Sequence, residues 1–253
     1  MGHVNFEKDG AVGIVTLAKP PHNLIDDALT DGIVEAYARA TSEGCRAILL
    51  RSGMRHFCAG ADVNAFTGGR RRDQQSFEAV LNGLENVGIP TVAAVHGGAY
   101  GGGVEIALTC DIILAADTAV FGMVESSAGL LPLLGGVQRM VARVGIARAK
   151  EMAMLGRRHD PAALERWGAI NMVVAEGELQ AAALSWARQL AAGPTVALAG
   201  IKRLANTSAR DGINAADAIQ SVVADTVWAS EDQRRGIAAF STTGPGTAVF
   251  EGN

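Results

Sequence analysis

The sequence has little of what marks several protein classes. Its three cysteines in 253 residues include no CxxC pair, which argues against a disulfide framework and a zinc site. The net charge of −4 provides no basic field for nucleic acid. No apolar run reaches the ~18 residues of a membrane span, and the first residues do not resemble a signal peptide. We therefore expect a cytoplasmic protein with neither a membrane nor a nucleic acid partner.

Small and aliphatic residues take the place of the scarce aromatic ones. Hydrophobic residues make up 49% of the chain, aromatic residues only 5%, and there are 31 glycines. Small residues permit the close backbone approach that layered α/β folds require, and a charged fraction of 19% is too low for a disordered chain. The composition indicates one large domain, or one domain with an appendage.

The first half of the chain alternates between strand and helix patterns, which predicts mainly parallel strands joined by crossover helices. Strands are expected over 11–18, 46–52, 90–97 and 112–122, and helices over 26–43, 76–87 and 102–111. From 178 to 240 nearly everything has helical periodicity. We divide the chain into an α/β core, 1–195, and a helical C-terminal region, 196–253. The last ten residues are expected to be loosely ordered.

The stretch HGGAYGGGVEIAL, residues 96–108, places five glycines between a predicted strand and a predicted helix. It has neither the GxGxxG spacing of a dinucleotide site nor a P-loop lysine. Backbone N–H groups at a helix N-terminus are unpaired, and glycine lets a ligand oxygen approach them. The stretch is therefore either an anion or oxyanion site or a tight turn packed against its neighbours.

Two glutamates follow predicted strands at a separation of 20 residues. Glu105 stands among apolar residues, so it is either buried with a raised pKa or exposed on a half-buried helix. Glu125 opens a loop rich in glycine and serine. If the two converge, they are suited to proton transfer, with one carboxyl carrying the proton and the other orienting water.

A third loop, FCAGADV at residues 57–63, also follows a strand. It would supply a second backbone N–H donor, or it is an ordinary connection between a strand and a helix. Cys58 invites assignment as a nucleophile, but only His56 and His96 lie in a suitable context as a base, so we disfavour a catalytic thiol.

Together these loops resemble the crotonase (enoyl-CoA hydratase/isomerase) superfamily. The similarity is carried by LAKPPHNLI, FCAGADV, GLLPLLGGVQRM, IKRLAN and the block from residue 93 to 125, all in collinear order. The resemblance implies an α/β fold built as a spiral of ββα units with a helical C-terminal region that contributes to trimerisation and covers the site. It also implies a homotrimer or a dimer of trimers acting on an acyl-CoA thioester.

The resemblance implies a role for each of these loops. The N–H groups of Ala61 and Gly102 would form an oxyanion hole, and Glu105 and Glu125 match the two glutamates of the hydratase branch. Coenzyme A would belong to the substrate, so no separate cofactor and no metal is expected. The residues expected to bind the substrate are Lys19, Asn23, Ala59, Asp62 and Gly101.

Cationic contacts to the CoA phosphates are less defined. Lys19 either approaches the phosphates or is a solvated surface lysine, and the arginines at 70–72 either meet phosphates or belong to a solvated loop. Arg235 stands where the family often has an acidic residue, and the basic pair that usually follows is absent.

Two further departures lie beside the expected site. Val124 replaces the proline that usually precedes the second glutamate in hydratases. Leu133 and Leu134 replace small residues, which would reshape the acyl pocket. The resulting hypothesis is an enoyl-CoA hydratase. The alternatives are an isomerase or another acyl-CoA reaction on the same scaffold, and a catalytically weak acyl-CoA-binding protein.

Overall fold

A computed structural model describes residues 2–62 and 74–253 of the chain, with side chains from 79 onward in the second range. The arginines at 70–72 lie outside the described residues. Nine strands are described: Val4–Asp9 (β1), Val12–Leu17 (β2), Ala47–Ser52 (β3), Thr91–Val95 (β4), Gly98–Tyr100 (β5), Ile112–Ala116 (β6), Val120–Gly122 (β7), Arg158–His159 (β8) and Met172–Val174 (β9).

The helices of the described ranges are Asp27–Ser42 (α1), Gln74–Glu85 (α2), Gly102–Leu108 (α3), Gly136–Leu155 (α4), Pro161–Trp167 (α5), Leu179–Ala191 (α6), Thr195–Asp211 (α7), Ile213–Trp228 (α8) and Glu231–Thr242 (α9). Helix α1 begins at Asp27, within one residue of the expected start, and the side chain of Asp26 accepts the Leu29 N–H and caps the helix.

The strands form two sheets. The larger sheet has the order β1-β2-β3-β4-β6-β9, and all its pairs except β1–β2 are parallel. The smaller sheet has the order β5-β7-β8. Strands β4 and β6 are each followed by a strand of the smaller sheet and then by a helix. This repetition is the ββα unit, and it brings the ends of β5 and β7 together.

Two strand predictions need correction. Strand β1 was not expected, because its residues alternate between partly buried and exposed positions at the edge of the sheet and form no apolar run. The single strand expected over 112–122 is two strands, β6 in the larger sheet and β7 in the smaller one. The chain turns between them at residues 117–119.

The C-terminal segment is tied down, contrary to the expectation of loose order. Asp232 is 1% exposed, and its carboxylate accepts the N–H groups of Glu251 and Gly252 at 2.8 and 2.7 Å. Arg235 forms an ion pair with the same carboxylate and with Glu251. Buried charges require such partners, so these contacts hold the segment against α9.

Candidate active site

Helix α3 carries Glu105 into the interior. All seven residues of the helix are buried, and Glu105 is 1% exposed. Its Oε1 accepts the backbone N–H groups of Leu134 and Gly136 at 2.9 and 2.8 Å. The alternative of an exposed glutamate is therefore wrong, and two peptide donors offset the cost of burying the carboxylate.

Glu125 approaches the same place from the end of β7. A Cβ atom on Gly101 would lie 2.8 Å from Glu125 Oε1, and one on the adjacent Gly102 would lie 3.8 Å from Glu105 Oε2. The two carboxyl groups therefore flank neighbouring residues at the start of α3. Oε2 of Glu125 is buried without a hydrogen-bond partner among the described residues, so its hydrogen-bonding capacity is unused there.

Both carboxyl groups have raised pKa values. Burial is the largest influence and raises the pKa of Glu105 to about 7; the negative charge of Glu125 acts in the same direction, while the Leu134 and Gly136 N–H groups and Arg139 oppose it. Burial also raises the pKa of Glu125. A carboxyl group that titrates near neutral pH can both give and take a proton under ordinary conditions.

The burial of Glu105 predicts a specific pH dependence of stability. Its pKa rises from an ordinary 4.5 in the unfolded chain to about 7 in the folded one, so the folded state binds more protons between these values. Stability falls as pH rises through that window, by about 3 kcal/mol in total. Chemical unfolding at pH 5 and pH 8 measures this loss. Glu105→Gln should remove most of it, and an unchanged pH dependence in that variant would contradict the assignment.

Ala61 and Gly102 lie on adjoining backbone segments. Cys58 forms a parallel bridge with Ala99, and Ile25 forms one with Ala61. The close contact continues to Gly103, where a Cβ atom would stand 2.2 Å from the Cys58 carbonyl oxygen. Glycine at 103 is thus required for the two segments to approach each other.

The N–H groups of Ala61 and Gly102 have no acceptor within the described part of the chain. Ile25 bonds to the peptides on either side of Ala61, through Gly60 O and the Asp62 N–H, so the Ala61 N–H points away from this pairing. Gly102 is the first residue of a helix, where N–H groups are normally unpaired. Two unpaired donors near paired carboxyl groups can stabilise an oxyanion.

The loop expected to hold the CoA moiety is internally fixed. Asn23 has a φ of 53° and is fully buried, and its amide donates to Ser52 Oγ and to Phe57 O at 2.8 and 2.9 Å. Lys19 Nζ forms an ion pair with Asp26 at 2.5 Å. The expected binding roles of Asn23 and Lys19 stay predictions, and their contacts here stabilise the loop.

The backbone donors of the remaining expected binding residues are engaged. The Ala59 N–H donates to His22 O, that of Asp62 to Ile25 O and that of Gly101 to Gly122 O, at 2.8 to 3.0 Å. Any contact of Ala59 or Gly101 with substrate would therefore use another group. The binding roles of these residues also stay predictions.

The structure gives no support for a catalytic thiol. Cys58 is fully buried, its Sγ donates to Asn23 O at 3.0 Å, and burial raises the pKa of its thiol to about 12. A thiolate is the reactive form of cysteine. Over the ranges 2–62 and 74–253, no group of three or more His, Cys, Asp or Glu residues is placed to hold a metal ion.

The donors at Leu134 and Gly136 were not predicted. They are 29 and 31 residues from Glu105, so no local pattern connects them with it. The pair of glycines at 135–136, directly before a helical pattern, was the available signal, because a helix N-terminus presents unpaired N–H groups.

Comparison with known proteins identifies the family of this chain. The profile of the family described as enoyl-CoA hydratase/isomerase matches residues 7–252. The chain belongs to this family. It is 33% identical over 242 residues to a probable enoyl-CoA hydratase of Mycobacterium tuberculosis, with 92% of this chain and 93% of that protein covered. It is 34% identical over 200 residues to the carnitinyl-CoA dehydratase of Proteus mirabilis, with 77% of each chain covered.

Solved structures show the same fold. An enoyl-CoA hydratase from Polaromonas sp. JS666 superposes with a TM-score of 0.88 at 28% identity, covering 96% of this chain and 99% of that one. The crotonase-like α/β fold with a helical C-terminal region is thereby confirmed. The expectation of a hydratase-like lyase is confirmed by the family match and the named relatives. No helix in the described part of this chain is long and apolar enough to cross a membrane.

Proposed function

We propose that this enzyme adds water across the 2,3 double bond of an enoyl-CoA thioester. The observation that supports it most is the meeting of two carboxyl groups with raised pKa values at Gly101 and Gly102, beside two unpaired N–H donors. Hydration needs each of these parts: donors for the enolate oxygen, a proton for Cα and a base for the water that attacks Cβ.

In the proposed reaction, the N–H groups of Ala61 and Gly102 bind the thioester oxygen. Glu105, fixed by its two peptide donors, takes a proton from water as the hydroxyl oxygen bonds to Cβ. Glu125 gives its proton to Cα as the enolate collapses. The proton gained by Glu105 then replaces the one lost by Glu125, so the pair returns to its starting charge with one proton shared between coupled groups.

The direct test is hydration of crotonyl-CoA by the purified protein, followed by the loss of absorbance of the conjugated thioester. A 3-enoyl-CoA tests the isomerase alternative, and a 3-hydroxyacyl-CoA tests dehydration, which the similarity to a carnitinyl-CoA dehydratase supports. Calorimetric binding of acyl-CoA without turnover of any of the three would favour the catalytically weak binding protein instead.

Leu134 is proposed to limit the acyl chain. It is 7% exposed, and its Cδ1 would lie 3.3 Å from a Cβ atom on Gly102, so it fills space beside the reacting groups. We expect Leu134→Ala to raise kcat/KM for octenoyl-CoA relative to crotonyl-CoA by about tenfold, which corresponds to about 1.4 kcal/mol of steric overlap removed from the transition state. Leu155→Ala, at a 53% exposed position, is the control, and an unchanged ratio in Leu134→Ala would contradict the proposal.

We also propose assembly as a homotrimer or a dimer of trimers. Large apolar side chains are exposed on the C-terminal helices, including Ile201, Trp228 and Phe240 at 63%, 64% and 66%, and such surfaces often mark protein contacts. Light scattering of the purified protein tests this assembly. Cytoplasmic location stays a prediction.

A further inference from the structure

The turn at residues 134–136 controls the position of Glu105. It supplies both N–H donors to Oε1, and Gly135 between them has a φ of 80°. Gly135, which precedes α4, and Gly136, its first residue, have no side chain with which to fix the turn. The orientation of the Glu105 carboxylate therefore depends on whatever else holds this backbone.

Arg139 lies directly against the turn. Its Nη1 donates to the carbonyls of Leu134 and Gly135 at 3.4 and 3.3 Å, and a Cβ atom on Gly135 would lie 2.5 Å from Nη1. The peptide between Gly135 and Gly136 thus accepts from Arg139 through its oxygen and donates to Glu105 through its nitrogen. Hydrogen bonds connected in this way strengthen one another.

Glu85, at the end of α2, fixes the guanidinium. Arg139 Nε and Nη2 donate to its two carboxylate oxygens at 3.1 and 2.8 Å, and the two side chains are only 14% and 25% exposed. Beside this pair lies a cavity of ≈ 370 Å³, lined on its other side by α7. Arg139 Nη2 also donates to Asn82 Oδ1 at 3.3 Å. The charged two-point contact with Glu85 is the stronger of these restraints on the guanidinium.

The charge of Arg139 also acts on the site. It lowers the pKa of Glu105, whereas burial and the nearby Glu125 raise it. Arg139 therefore contributes in two ways, through the peptide of the turn and through its field.

We propose that Arg139, held by Glu85, is a positioning residue that keeps the 134–136 turn, and through it the Glu105 carboxylate, in the orientation that the reaction needs. The proposal rests on the proposed hydratase function. It concerns groups that need not touch the substrate and that act through the backbone.

Steady-state kinetics of four variants tests the proposal. Arg139→Lys keeps the positive charge and loses the two-point contact of the guanidinium with Glu85. Glu85→Gln keeps the arginine and removes its carboxylate partner. Arg139→Gln removes both the guanidinium contact and the positive charge. We expect each to lower kcat for crotonyl-CoA about tenfold to 10²-fold, with KM within about twofold of the wild type. Arg148→Gln removes an exposed ion pair with Glu151 on the same helix and should leave both constants unchanged.

The pH profile separates charge from geometry. In the dependence of kcat on pH, only Arg139→Gln should move the titration step of Glu105 to higher pH, because it alone removes the cation that lowers the pKa of that carboxyl group. Arg139→Lys should show this step at the same pH as the wild type, with a lower kcat. A wild-type kcat in both Arg139→Lys and Glu85→Gln would overturn the proposal.

An NMR measurement makes the test independent of activity. The amide proton of Gly136 reports its hydrogen bond to Glu105, and its resonance should shift in Glu85→Gln but not in Arg148→Gln. A lower kcat with a lower melting temperature and an unmoved Gly136 amide would mean general destabilisation and would also overturn the proposal. If the wild type does not hydrate enoyl-CoA, the proposed function fails, and the amide shift still decides whether the turn is held by this pair.

Discussion

Glutamine at either Glu105 or Glu125 should lower the rate of crotonyl-CoA hydration by about 10²–10⁴-fold, the range that general acid–base groups contribute. The change preserves shape: a glutamine oxygen at 105 can still accept from the N–H groups of Leu134 and Gly136, which hold Oε1 now. What is lost is the ability to take or give a proton. KM should change much less than kcat, because neither group is proposed to hold the CoA moiety.

The experiment compares kcat for the two single variants, the double variant and Glu35→Gln, which alters an exposed glutamate on α1. The loss of kcat in the double variant should be far smaller than the product of the two single losses, because the effects of residues that act as a unit are not additive. Wild-type rates in both single variants would exclude the two-glutamate mechanism. A loss in only one of them would favour a reaction with a single acid–base group, such as isomerisation.

Gly103→Ala should produce the second large effect. The added Cβ would lie 2.2 Å from the Cys58 carbonyl oxygen and 3.0 Å from its carbon, and both are backbone atoms that cannot rotate away. The two segments that carry Ala61 and Gly102 must then separate. We expect kcat/KM to fall about 10²-fold, as when one oxyanion donor is lost, together with about 1–3 kcal/mol of stability.

Gly83→Ala is the matched control for this prediction. Gly83 lies within α2, and nothing stands within 4 Å of its added Cβ. Alanine there should leave kcat/KM unchanged and stabilise the helix by up to about 1 kcal/mol. Kinetics and urea unfolding of both variants measure the two effects. Gly103→Ala with wild-type kcat/KM would show that the proposed donors do not depend on the approach of these segments.

Much of the larger sheet was predictable from the sequence. Strands β3 and β4 are short apolar runs, as expected of parallel strands covered on both faces. Strand β1 alternates with polar residues at an edge, and β5 and β7 have three residues each, too few to show a period. The second sheet was therefore missed, although it is the element that brings Glu125 to Gly101.

The reacting groups of the site were predictable from the sequence, but the contacts that hold them in position were not. The glycines before Glu105 and the loop around Ala61 mark candidate donors because strand–glycine–helix junctions expose N–H groups. The contacts of Glu105 with Leu134 and Gly136, and of Arg139 with Glu85, join distant parts of the chain. Nothing in local composition specifies such pairs, so only the folded structure reveals them.

The separation of these partners has a consequence for how the protein becomes active. Glu105 is fixed by peptides 29 and 31 residues away, and Asn23 is fixed by Phe57, 34 residues away. Forming such contacts requires loops of about 30 residues to close, at an entropic cost that local contacts do not carry. Turnover during refolding should therefore be a stringent reporter of native topology, because a collapsed intermediate with its helices and strands formed would still lack the aligned acid–base pair.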